Sequence, residues 1–370
     1  MIKRILKYAA LIIACLVFAV LSSALLYRKH LQHKVAEEYA IISPAGINRL
    51  ERVRIGGIDQ WIQVRGQNVN HPILLFIHGG PGIAFIPLAG VFQGPWEKWF
   101  TVVQWDQRGA GKTYASNERE TLRSTMTLPQ MERDTVEVAN YLRNRFHREK
   151  IFVVGHSWGS VLGLWLAHEH PELIYAYVGV GQVINMEQND ATAYHDALEQ
   201  ARGRHNDAAL KELESIAPYP PANAGFEKGS IARRWEGELL GPRLNRAGFA
   251  DVRRILLDVV SAPDYSLLDD YSFIRGLSLS AEALFPILTK IDLAKLGPGF
   301  GAPIFFFEGR QDPFCRPALV WEYFQSIQAP HKEFIWFENS GHFPFYEEPQ
   351  KFTNELVQRI RPLANTGPGG

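Results

Sequence analysis

A serine flanked by glycines constrains the fold of this chain more than any other stretch. The motif Gly-His-Ser-Trp-Gly at 155–159 follows an apolar run at 151–154, typical of a buried strand, and precedes an apolar run at 161–167, typical of a buried helix. So tight a turn from strand to helix strains the backbone and leaves room only for glycine beside it. The pattern therefore predicts that Ser157 is presented as a nucleophile at the start of a helix, where the backbone N–H of Trp158 faces a developing oxyanion.

Further apolar runs of strand length alternate with stretches of helical periodicity. The runs that predict strands lie at 73–77, 101–105, 174–180, 303–307 and 333–337. Continuous apolar runs indicate strands covered on both faces, and their alternation with helices indicates a mostly parallel sheet. Alternating polar and apolar residues around Gly56-Gly57 predict an antiparallel hairpin before them. Together with the serine turn, this order predicts an α/β-hydrolase fold, a mostly parallel central sheet with helices on both faces.

The character of the chain changes after Gly181. Up to about residue 297 the sequence is rich in Arg, Glu and Asp at helical spacing, without a strong strand pattern. We interpret this segment as a helical cap inserted into the core. The expected organisation is a transmembrane segment at 1–30, a linker at 31–48, the first part of the core at 49–182, the cap at 183–297, the second part of the core at 298–362 and a disordered tail at 363–370.

The N-terminus carries an apolar stretch from Tyr8 to Leu26 between two groups of basic residues. About 20 helical residues cross the hydrocarbon of a bilayer, and this stretch exceeds the roughly 7–15 apolar residues of a signal peptide. We therefore expect a membrane anchor made of one N-terminal helix. The basic residues before it favour a cytoplasmic N-terminus and a catalytic domain outside the cytoplasm. The alternative is a signal peptide cleaved after Ala24, which would give a secreted or periplasmic protein.

The composition argues against a nucleic-acid partner and against a cysteine metal site. Lys and Arg total 39 and Asp and Glu total 39, so the formal net charge is zero. A nucleic-acid partner, which requires a basic surface, is therefore not expected. The two cysteines, Cys15 and Cys315, do not form a Cys-x-x-Cys metal motif. We predict no metal site and no cofactor.

A serine nucleophile needs a base that a third group holds in place, and in this fold the chain order is serine, acid, histidine. Asp312 follows the run at 303–307, and His342 follows the run at 333–337. We predict that His342 takes the Ser157 proton and that Asp312 orients the imidazole. An aspartate after a strand is often only a turn residue, and a histidine after glycine can belong to a surface loop, so the prediction depends on the order of the three.

Backbone donors for an oxyanion are expected from a second loop. His78-Gly79-Gly80 follows the strand predicted at 73–77, and glycine there lets the backbone approach a substrate closely. The N–H group of Gly79 or Gly80 would complement that of Trp158.

Three neighbouring residues are interpreted as structural. His78 and His156 flank the expected site, but neither is placed as the base. Cys315 lies three residues after Asp312, and we expect it to be a small packed side chain rather than a second nucleophile.

Five short motifs lie on or beside the loops that follow predicted strands. They are His-Gly-Gly-Pro-Gly at 78–82, Asp-Gln-Arg-Gly-Ala-Gly at 106–111, Gly-His-Ser-Trp-Gly-Ser at 155–160, Gly-Arg-Gln-Asp at 309–312 and Gly-His at 341–342. Together they resemble the proline iminopeptidase (prolyl aminopeptidase) family of serine peptidases, and the similarity covers roughly residues 51–362. Two positions depart from the family pattern: His156 stands where glycine is usual, and Thr113 where serine is common.

The resemblance implies an enzyme that removes an N-terminal proline, or another small apolar residue, from peptides. It also implies that an acidic residue in a Trp-Glu pair of the cap holds the α-amino group of the substrate, and Trp235-Glu236 matches that pair. A carboxylate at a fixed distance from Ser157 would measure one residue from the N-terminus of the peptide. Candidates for a second acidic group are Asp264, Asp269 and Asp270.

Three functions are compatible with this pattern. The first is a serine aminopeptidase that acts on small peptides without a cofactor. The second is a carboxylesterase or amidase with the same three residues and no requirement for a free amine. The third is a binding protein without catalysis, which the complete set of Ser157, Asp312 and His342 argues against. The P1 preference and the oligomeric state stay open at this level.

Overall fold

The computed structural model describes residues 2–220, 226–241 and 252–365, and an eight-stranded sheet lies at its centre. The strands are β1 (Ile47–Ile55), β2 (Ile58–Gly66), β3 (Ile73–Ile77), β4 (Thr101–Asp106), β5 (Ile151–His156), β6 (Ile174–Val180), β7 (Ile304–Gly309) and β8 (Lys332–Phe337). Their order across the sheet is β1-β2-β4-β3-β5-β6-β7-β8. β1 and β2 pair in antiparallel fashion, β2 is antiparallel to β4, and the other pairings are parallel. The predicted fold class is confirmed, including the hairpin at Gly56-Gly57.

Helices cover both faces of this sheet. The α-helices are α1 (Ile2–Glu38), α2 (Ala89–Phe92), α3 (Gly111–Ala115), α4 (Arg119–Thr125), α5 (Leu128–Arg145), α6 (Trp158–Glu169), α7 (Met186–Gly203), α8 (Asp207–Ser215), α9 (Phe226–Leu240), α10 (Val252–Ser261), α11 (Leu267–Leu288), α12 (Pro317–Ser326), α13 (Pro344–Glu347) and α14 (Pro349–Glu355). Short 3₁₀ turns lie at Ile86–Leu88, Trp96–Lys98, Pro171–Leu173, Leu293–Leu296 and Arg361–Asn365, and a π-helical turn lies at Leu356–Ile360.

The central strands are apolar because both of their faces are covered. In β3, Leu75 packs into the apolar layer on one side of the sheet, whereas Leu74 and Phe76 pack into the layer on the other side. All residues of β3 and β5 are buried. Such strands hold the sheet in one register, so the loops at their carboxyl ends have fixed positions.

The cap is an insertion between β6 and β7. It consists of α7 to α11, and no strand of the central sheet lies among its described residues, as the sequence predicts. α11 begins with a reciprocal capping box between Ser266 and Asp269. Because such a box satisfies two backbone or side-chain donors at the helix start, it fixes where α11 begins.

The N-terminal helix is longer than the sequence indicates. α1 runs without interruption from Ile2 to Glu38, so the first eight residues of the linker predicted at 31–48 are helical. Arg28 and Gln32 explain the difference, because both donate hydrogen bonds to the cap and hold this part of the helix in place. Among the described residues α1 is the one helix long and apolar enough to cross a membrane, by its length and composition. It could serve as an anchor or as a signal sequence.

The C-terminal boundary also differs. Arg361–Asn365 form a 3₁₀ turn, so ordered chain extends into the segment 363–370 that the sequence predicts as disordered. The turn packs beside β6 and the preceding π-helical turn. Residues 366–370, the rest of that segment, lie outside the described residues.

A fully buried ion pair fastens the loop after β4 to α5. Arg108 Nε donates to Asp134 Oδ2 at 2.9 Å and Arg108 Nη2 donates to Asp134 Oδ1 at 3.1 Å. Both side chains are 0% exposed. Arg108 also donates to the carbonyl oxygen of Gly56 and to the hydroxyl of Thr125. We call Arg108 and Asp134 the core pair.

Candidate active site

Ser157 stands on a strained turn between β5 and α6. Its backbone has φ 53° and ψ −121°, a left-handed conformation that is unusual for a residue with a side chain. A hydrogen bond of 3.0 Å from its N–H to the carbonyl oxygen of Val180 holds the turn. Strain of this kind persists only where the surroundings fix it, and here it presents the serine side chain to a cavity above the sheet.

The two flanking glycines are required by close backbone contacts. A Cβ on Gly159 would lie 2.0 Å from the carbonyl oxygen of Ile77, at the end of β3. A Cβ on Gly155 would lie 2.6 Å from the carbonyl oxygen of Gly159. Any side chain at either position would push α6 away from the sheet and displace Ser157.

His342 and Asp312 meet at the carboxyl ends of β7 and β8. His342 Nδ1 lies 2.7 Å from Asp312 Oδ2. With Nδ1 donating to the carboxylate, Nε2 is left to accept a proton. His342 lines the same cavity as Ser157. The structure thus brings together the three residues that the sequence selects, in one place at the rim of the sheet.

Asp312 uses its second oxygen for the turn that carries it. Oδ1 accepts the N–H groups of Phe314 at 2.7 Å and Cys315 at 2.9 Å. One carboxylate therefore both organises this turn and contacts the imidazole of His342. Because both oxygens accept hydrogen bonds, the carboxylate cannot rotate away from His342.

Cys315 closes the far side of this pair. Its side chain is buried, and burial raises the pKa of the thiol well above its usual range. Donor atoms of Asp312, Cys315 and His342 lie within 4.8 Å of one another, which is close enough for a metal ion. A protonated thiol is a poor metal ligand, and the carboxylate and imidazole already bind each other.

The loop after β3 lies directly beside the serine. A Cβ on Gly79 would come within 2.9 Å of the Ser157 Cβ, so only glycine fits. Gly80 has φ 120°, which also favours glycine. Both residues line the cavity. The first turn of α6, which includes the backbone N–H of Trp158, starts immediately after the serine.

Gln107 links these two sources of backbone donors. Its Nε2 donates to the carbonyl oxygen of His78 at 2.8 Å, and its Oε1 accepts from the indole Nε1 of Trp158 at 3.1 Å. One amide side chain therefore fixes the spacing between the end of β3 and the start of α6. Sequence reasoning treats Gln107 only as part of a family motif and misses this role.

The two neighbouring histidines, His78 and His156, are both buried. Burial lowers the pKa of His78 to about 4. Burial, together with the nearby His342, lowers the pKa of His156 well below its usual range. His156 Nε2 lies 2.9 Å from the carbonyl oxygen of His342 and so supports the loop of that residue.

The cavity above Ser157 has a volume of about 450 Å³. Its floor is the rim of the sheet, and its walls come from the cap helices α9 and α11. Apolar side chains, among them Met186, Phe285 and Phe314, dominate the lining. Among the described lining residues the one permanently charged side chain is Arg233. The surface of this cavity is therefore mostly apolar.

Glu236 lies behind Arg233 rather than at the cavity surface. The carboxylate is 0% exposed, and Arg233 Nη1 donates to its Oε2 at 3.3 Å. Its other oxygen has no hydrogen-bond partner among the described residues. Burial raises the pKa of Glu236 to about 7. Glu236, predicted to hold the substrate's amino group, is not among the residues that line the cavity, whereas its partner Arg233 is.

Asp190 on α7 completes this group. It is 1% exposed, and its Oδ1 accepts from Arg233 Nη2 at 2.5 Å. Arg233 also donates to the carbonyl oxygen of Phe314, in the turn that Asp312 organises. We call Arg233, Asp190 and Glu236 the cap triad. The sequence offers no signal for Asp190, since nothing distinguishes it from the other acidic residues of α7.

Trp235, predicted to bind substrate beside Glu236, is not among the residues that line the cavity. Its ring is buried in the apolar core of the cap, and its Nε1 donates to Glu212 Oε2 at 2.8 Å. Neighbouring positions on a helix point about 100° apart. A tryptophan next to a glutamate on α9 therefore cannot face the same side as the glutamate.

The three candidates for a second acidic group are all engaged elsewhere, and none lines the cavity. Asp264 accepts from Gln63 Nε2 at 2.7 Å. Asp269 pairs with Lys112 at 2.8 Å, and Asp270 pairs with Arg28 at 2.9 Å. These contacts tie the cap to the core and to α1, so the residues serve in packing.

Comparison with known proteins agrees with this architecture. Residues 72–225 match the family model of the alpha/beta hydrolase fold. The "Probable aminopeptidase YbaC" of Bacillus subtilis is 31% identical over 316 residues, which cover 84% of this chain and 96% of that protein. The "Probable proline iminopeptidase" of Leptolyngbya boryana is 37% identical over 298 residues, which cover 74% of this chain and 82% of that protein.

Solved structures give the same fold. The crystal structure of the proline iminopeptidase of Mycobacterium smegmatis superimposes with a TM-score of 0.59. The match covers 86% of this chain and 99% of that one, at 18% sequence identity. At this identity the likeness concerns the fold alone.

Proposed function

Because this chain belongs to the proline iminopeptidase family of α/β-hydrolases, we propose that it hydrolyses acyl bonds through a covalent intermediate on Ser157. The observation that carries the proposal is the hydrogen bond of 2.7 Å between His342 Nδ1 and Asp312 Oδ2, beside the cavity that Ser157 lines. A base oriented by an acid, next to a serine on a strained turn, is the arrangement that activates a hydroxyl group.

The reaction follows from the positions of these groups. Ser157 Oγ attacks the substrate carbonyl carbon while His342 Nε2 takes its proton, and the imidazolium that forms is stabilised by Asp312. Backbone N–H groups of Gly79 or Gly80 and of Trp158 stabilise the oxyanion. His342 then gives the proton to the leaving amine, and water releases the acyl group from Ser157 by the reverse sequence.

We propose peptides with an N-terminal proline or small apolar residue as substrates. The apolar cavity suits such a residue, and the relatives named above are described as aminopeptidases. The cap triad supplies a counter-charge for the α-ammonium group, because two carboxylates flank one guanidinium and leave one negative charge when both are ionised. Recognition then acts through the field of the triad rather than through direct contact with Glu236.

A carboxylesterase or amidase without need of a free amine is the second candidate. One observation favours it: Arg233, not a carboxylate, is the charged group of the cap that reaches the cavity. A guanidinium group there would not attract an ammonium group by itself. The two candidate functions share the same acyl-transfer reaction on Ser157. They differ only in whether the cap requires a free amino group on the substrate.

Hydrolysis of matched substrates separates the two candidates. Proline and alanine arylamides, with and without an N-acetyl group, are compared with a short-chain aryl ester on the full chain in detergent. We expect N-acetylation to lower kcat/KM about 100-fold, the loss of a charge interaction of ~2.7 kcal/mol. Cleavage of the ester alone would contradict the aminopeptidase assignment and leave the esterase.

The role of the serine needs its own control. Ser157→Ala is expected to lower all of these rates by about a thousandfold or more, at unchanged stability. Retention of the wild-type rates would overturn the acyl-enzyme itself. A loss on only one substrate class would mean that a second nucleophile acts in this cavity.

We further propose that α1 anchors the protein in a membrane, with the catalytic domain outside the cytoplasm. At 37 residues the helix is about 55 Å long, more than the roughly 30 Å of a bilayer's hydrocarbon. Its apolar residues are exposed, whereas Arg28 and Gln32 pack on the cap. Resistance of the membrane-bound protein to alkaline carbonate extraction is the expected result, and release of a shortened chain would favour a cleaved signal sequence.

A further inference from the structure

The cap carries an exposed apolar surface that the proposed reaction does not use. Its members lie on α10 and on the first half of α11, and their exposed fractions run from 40% at Leu256 to 67% at Leu268. We call this surface the apolar face: Leu256, Leu257, Leu267, Leu268, Tyr271 and Ile274. Six large apolar side chains exposed on two neighbouring helices are unusual on a soluble surface and indicate a contact with another apolar phase.

The N-terminal helix fixes where this face lies. Arg28 Nη2 donates to Asp270 Oδ2 at 2.9 Å and to the carbonyl oxygen of Tyr265 at 2.8 Å. Gln32 Nε2 donates to the carbonyl oxygens of Ala262 and Tyr265. The corner between α10 and α11 is thus clamped to the part of α1 that directly follows the apolar stretch.

These hydrogen bonds from α1 determine how far the apolar face lies from a bilayer that α1 spans. The apolar stretch of α1 ends at Leu26, about 3 Å of helix before Arg28. Asp270, the partner of Arg28, is the immediate neighbour of Tyr271 and lies within one turn of Leu267 and Ile274 on α11. Once α1 spans a bilayer, these side chains lie at the boundary between hydrocarbon and headgroups.

Charge around the face agrees with a lipid surface. Lys29 follows Arg28 on α1, and Arg275 follows Ile274 on α11; both are exposed. Cations beside an apolar surface are typical of segments that lie in the interface and contact anionic headgroups. A bilayer that covers the apolar stretch of α1 also reaches the apolar face, because Arg28 holds the start of α11 next to the end of that stretch.

The same helix leads to the candidate active site. Leu267, Tyr271, Ile274 and Ser278 recur at spacings of four, three and four residues, so they form one stripe along α11. Ser278 and its neighbour Leu277 line the cavity that contains Ser157. The stripe that carries Leu267, Tyr271 and Ile274 of the apolar face therefore continues to Ser278 at the cavity wall.

We infer that the apolar face is a docking surface for the phospholipid bilayer, and that apolar peptides or esters reach Ser157 from the membrane rather than from bulk water. The docking part rests on the anchoring of α1. The substrate part rests in addition on the proposed hydrolase function. The two parts are tested by different measurements, so that one can fail without the other.

Docking is tested by fluorescence quenching on the full chain in lipid nanodiscs. The variant Leu268→Cys, made in a Cys15→Ala background, is labelled with a small fluorophore. The discs consist of phosphatidylcholine and phosphatidylglycerol, and they contain a lipid with a spin label near its headgroup as the quencher. The matched control is Glu172→Cys, an exposed position just before the amino end of β6, whereas Ser157 lies at the carboxyl ends of the parallel strands. Both proteins share the anchor, so only contact with the bilayer distinguishes them.

We expect strong quenching at position 268 and none at position 172. Equal quenching at the two positions would overturn the inference. A probe at 268 that is shielded but not quenched, in discs that hold two chains each, would assign the face to a second copy of this chain and would also overturn it.

Delivery of substrate is tested with Leu268→Asp/Tyr271→Asp. Hydrolysis of a long-chain aryl ester dissolved in the disc is compared with that of a short-chain, water-soluble ester. We expect the ratio of the two rates to fall about tenfold, because two anchoring side chains of the interface are lost. Ile42→Asp, which changes an apolar residue that is 85% exposed outside the face, is expected to leave the ratio unchanged.

The outcomes separate the two proposals. An unchanged ratio in the double variant, or an equal loss on both esters at retained folding, would overturn delivery from the membrane. If the wild-type chain hydrolyses neither the esters nor the arylamides, the hydrolase assignment fails, and the quenching experiment still decides whether the face binds lipid. If it hydrolyses the arylamides alone, the hydrolase assignment stands and delivery of esters from the membrane is overturned.

Discussion

The core pair and the cap triad both set an arginine against buried carboxylates, but they differ in how completely each charge is matched. In the core, Arg108 and Asp134 are fully buried, and Asp134 accepts from both Nε and Nη2. In the cap, Arg233 faces two carboxylates, its side chain is 22% exposed at the cavity, and one oxygen of Glu236 has no partner among the described residues. An ion pair whose charges are fully compensated stabilises the fold. A charged group beside a cavity whose charge is not fully compensated can still bind a ligand.

The largest expected effect comes from breaking the core pair. Arg108→Met leaves Asp134 buried without its counter-ion, and the expected loss in the free energy of unfolding is about 3–5 kcal/mol. Urea unfolding followed by tryptophan fluorescence in detergent measures it. The fraction that remains folded keeps the wild-type ratio of amide to ester hydrolysis. A shift of that ratio in folded protein would mean that the core pair also selects substrate.

Asp190→Asn is expected to change the preference for free-amine substrates rather than the free energy of unfolding. It removes one negative charge from the cap triad while keeping the size of the side chain. The value of kcat/KM for free-amine arylamides is expected to fall about 10–100-fold, at ~1.4 kcal/mol per factor of ten, with the ester rate nearly unchanged. Asp196→Asn is the matched control, because Asp196 pairs with Arg316 rather than with Arg233. Equal losses in both variants would remove the triad from the recognition of amines.

The dependence on pH tests the third member of the triad. Since burial raises the pKa of Glu236 to about 7, the charge of the triad changes from neutral to −1 as pH rises through that value. We expect the KM of free-amine substrates to fall about three- to tenfold across this range, an effect of roughly 1 kcal/mol. In Glu236→Gln the KM stays flat, and an unchanged pH profile in this variant would contradict the assignment.

The same raised pKa has a consequence for stability. The neutral form of Glu236 stabilises the folded state fully below its unfolded pKa, the ordinary value of 4.5. This contribution is lost as pH rises through about 7, because the folded state then gives up a proton that it held more tightly than the unfolded chain.

The smallest expected effect concerns an exposed pair. Arg123 and Glu282 lie 2.7 Å apart, with about half of each side chain in solvent. Glu282→Gln is expected to change the free energy of unfolding by less than about 0.5 kcal/mol and to leave all rates unchanged. A larger change would show that burial is not what separates the core pair and the cap triad from ordinary surface pairs.

Much of the fold, and the residues at the carboxyl ends of its strands, could be predicted because the sequence patterns that indicate them are local. Each strand of the core is a short apolar run, and Ser157, Asp312 and His342 each follow such a run within a few residues. Because parallel strands end at one edge of the sheet, residues far apart in sequence are brought together without knowledge of any side-chain contact.

The side-chain contacts of the cap could not be predicted from the sequence, because they join residues that are far apart in the chain. Asp190 and Arg233 lie on different helices, and no periodicity indicates that they meet. Trp235 and Glu236 are neighbours in sequence but face different directions on α9. The helical character of 31–38 depends on contacts with the cap at Ala262 and Tyr265, which the polar composition of this segment does not reveal.

The insertion of the cap between β6 and β7 has a consequence for how the protein is made. Ser157 is synthesised before the cap, whereas Asp312 and His342 come after it. A gap of roughly 185 residues takes the ribosome about 10–40 s at 5–20 residues per second. On the proposed assignment, the nascent chain therefore carries a hydroxyl group without its base throughout this interval. A chain that stalls or is cut before His342 is inert, and hydrolysis begins only when the last strand has joined the sheet.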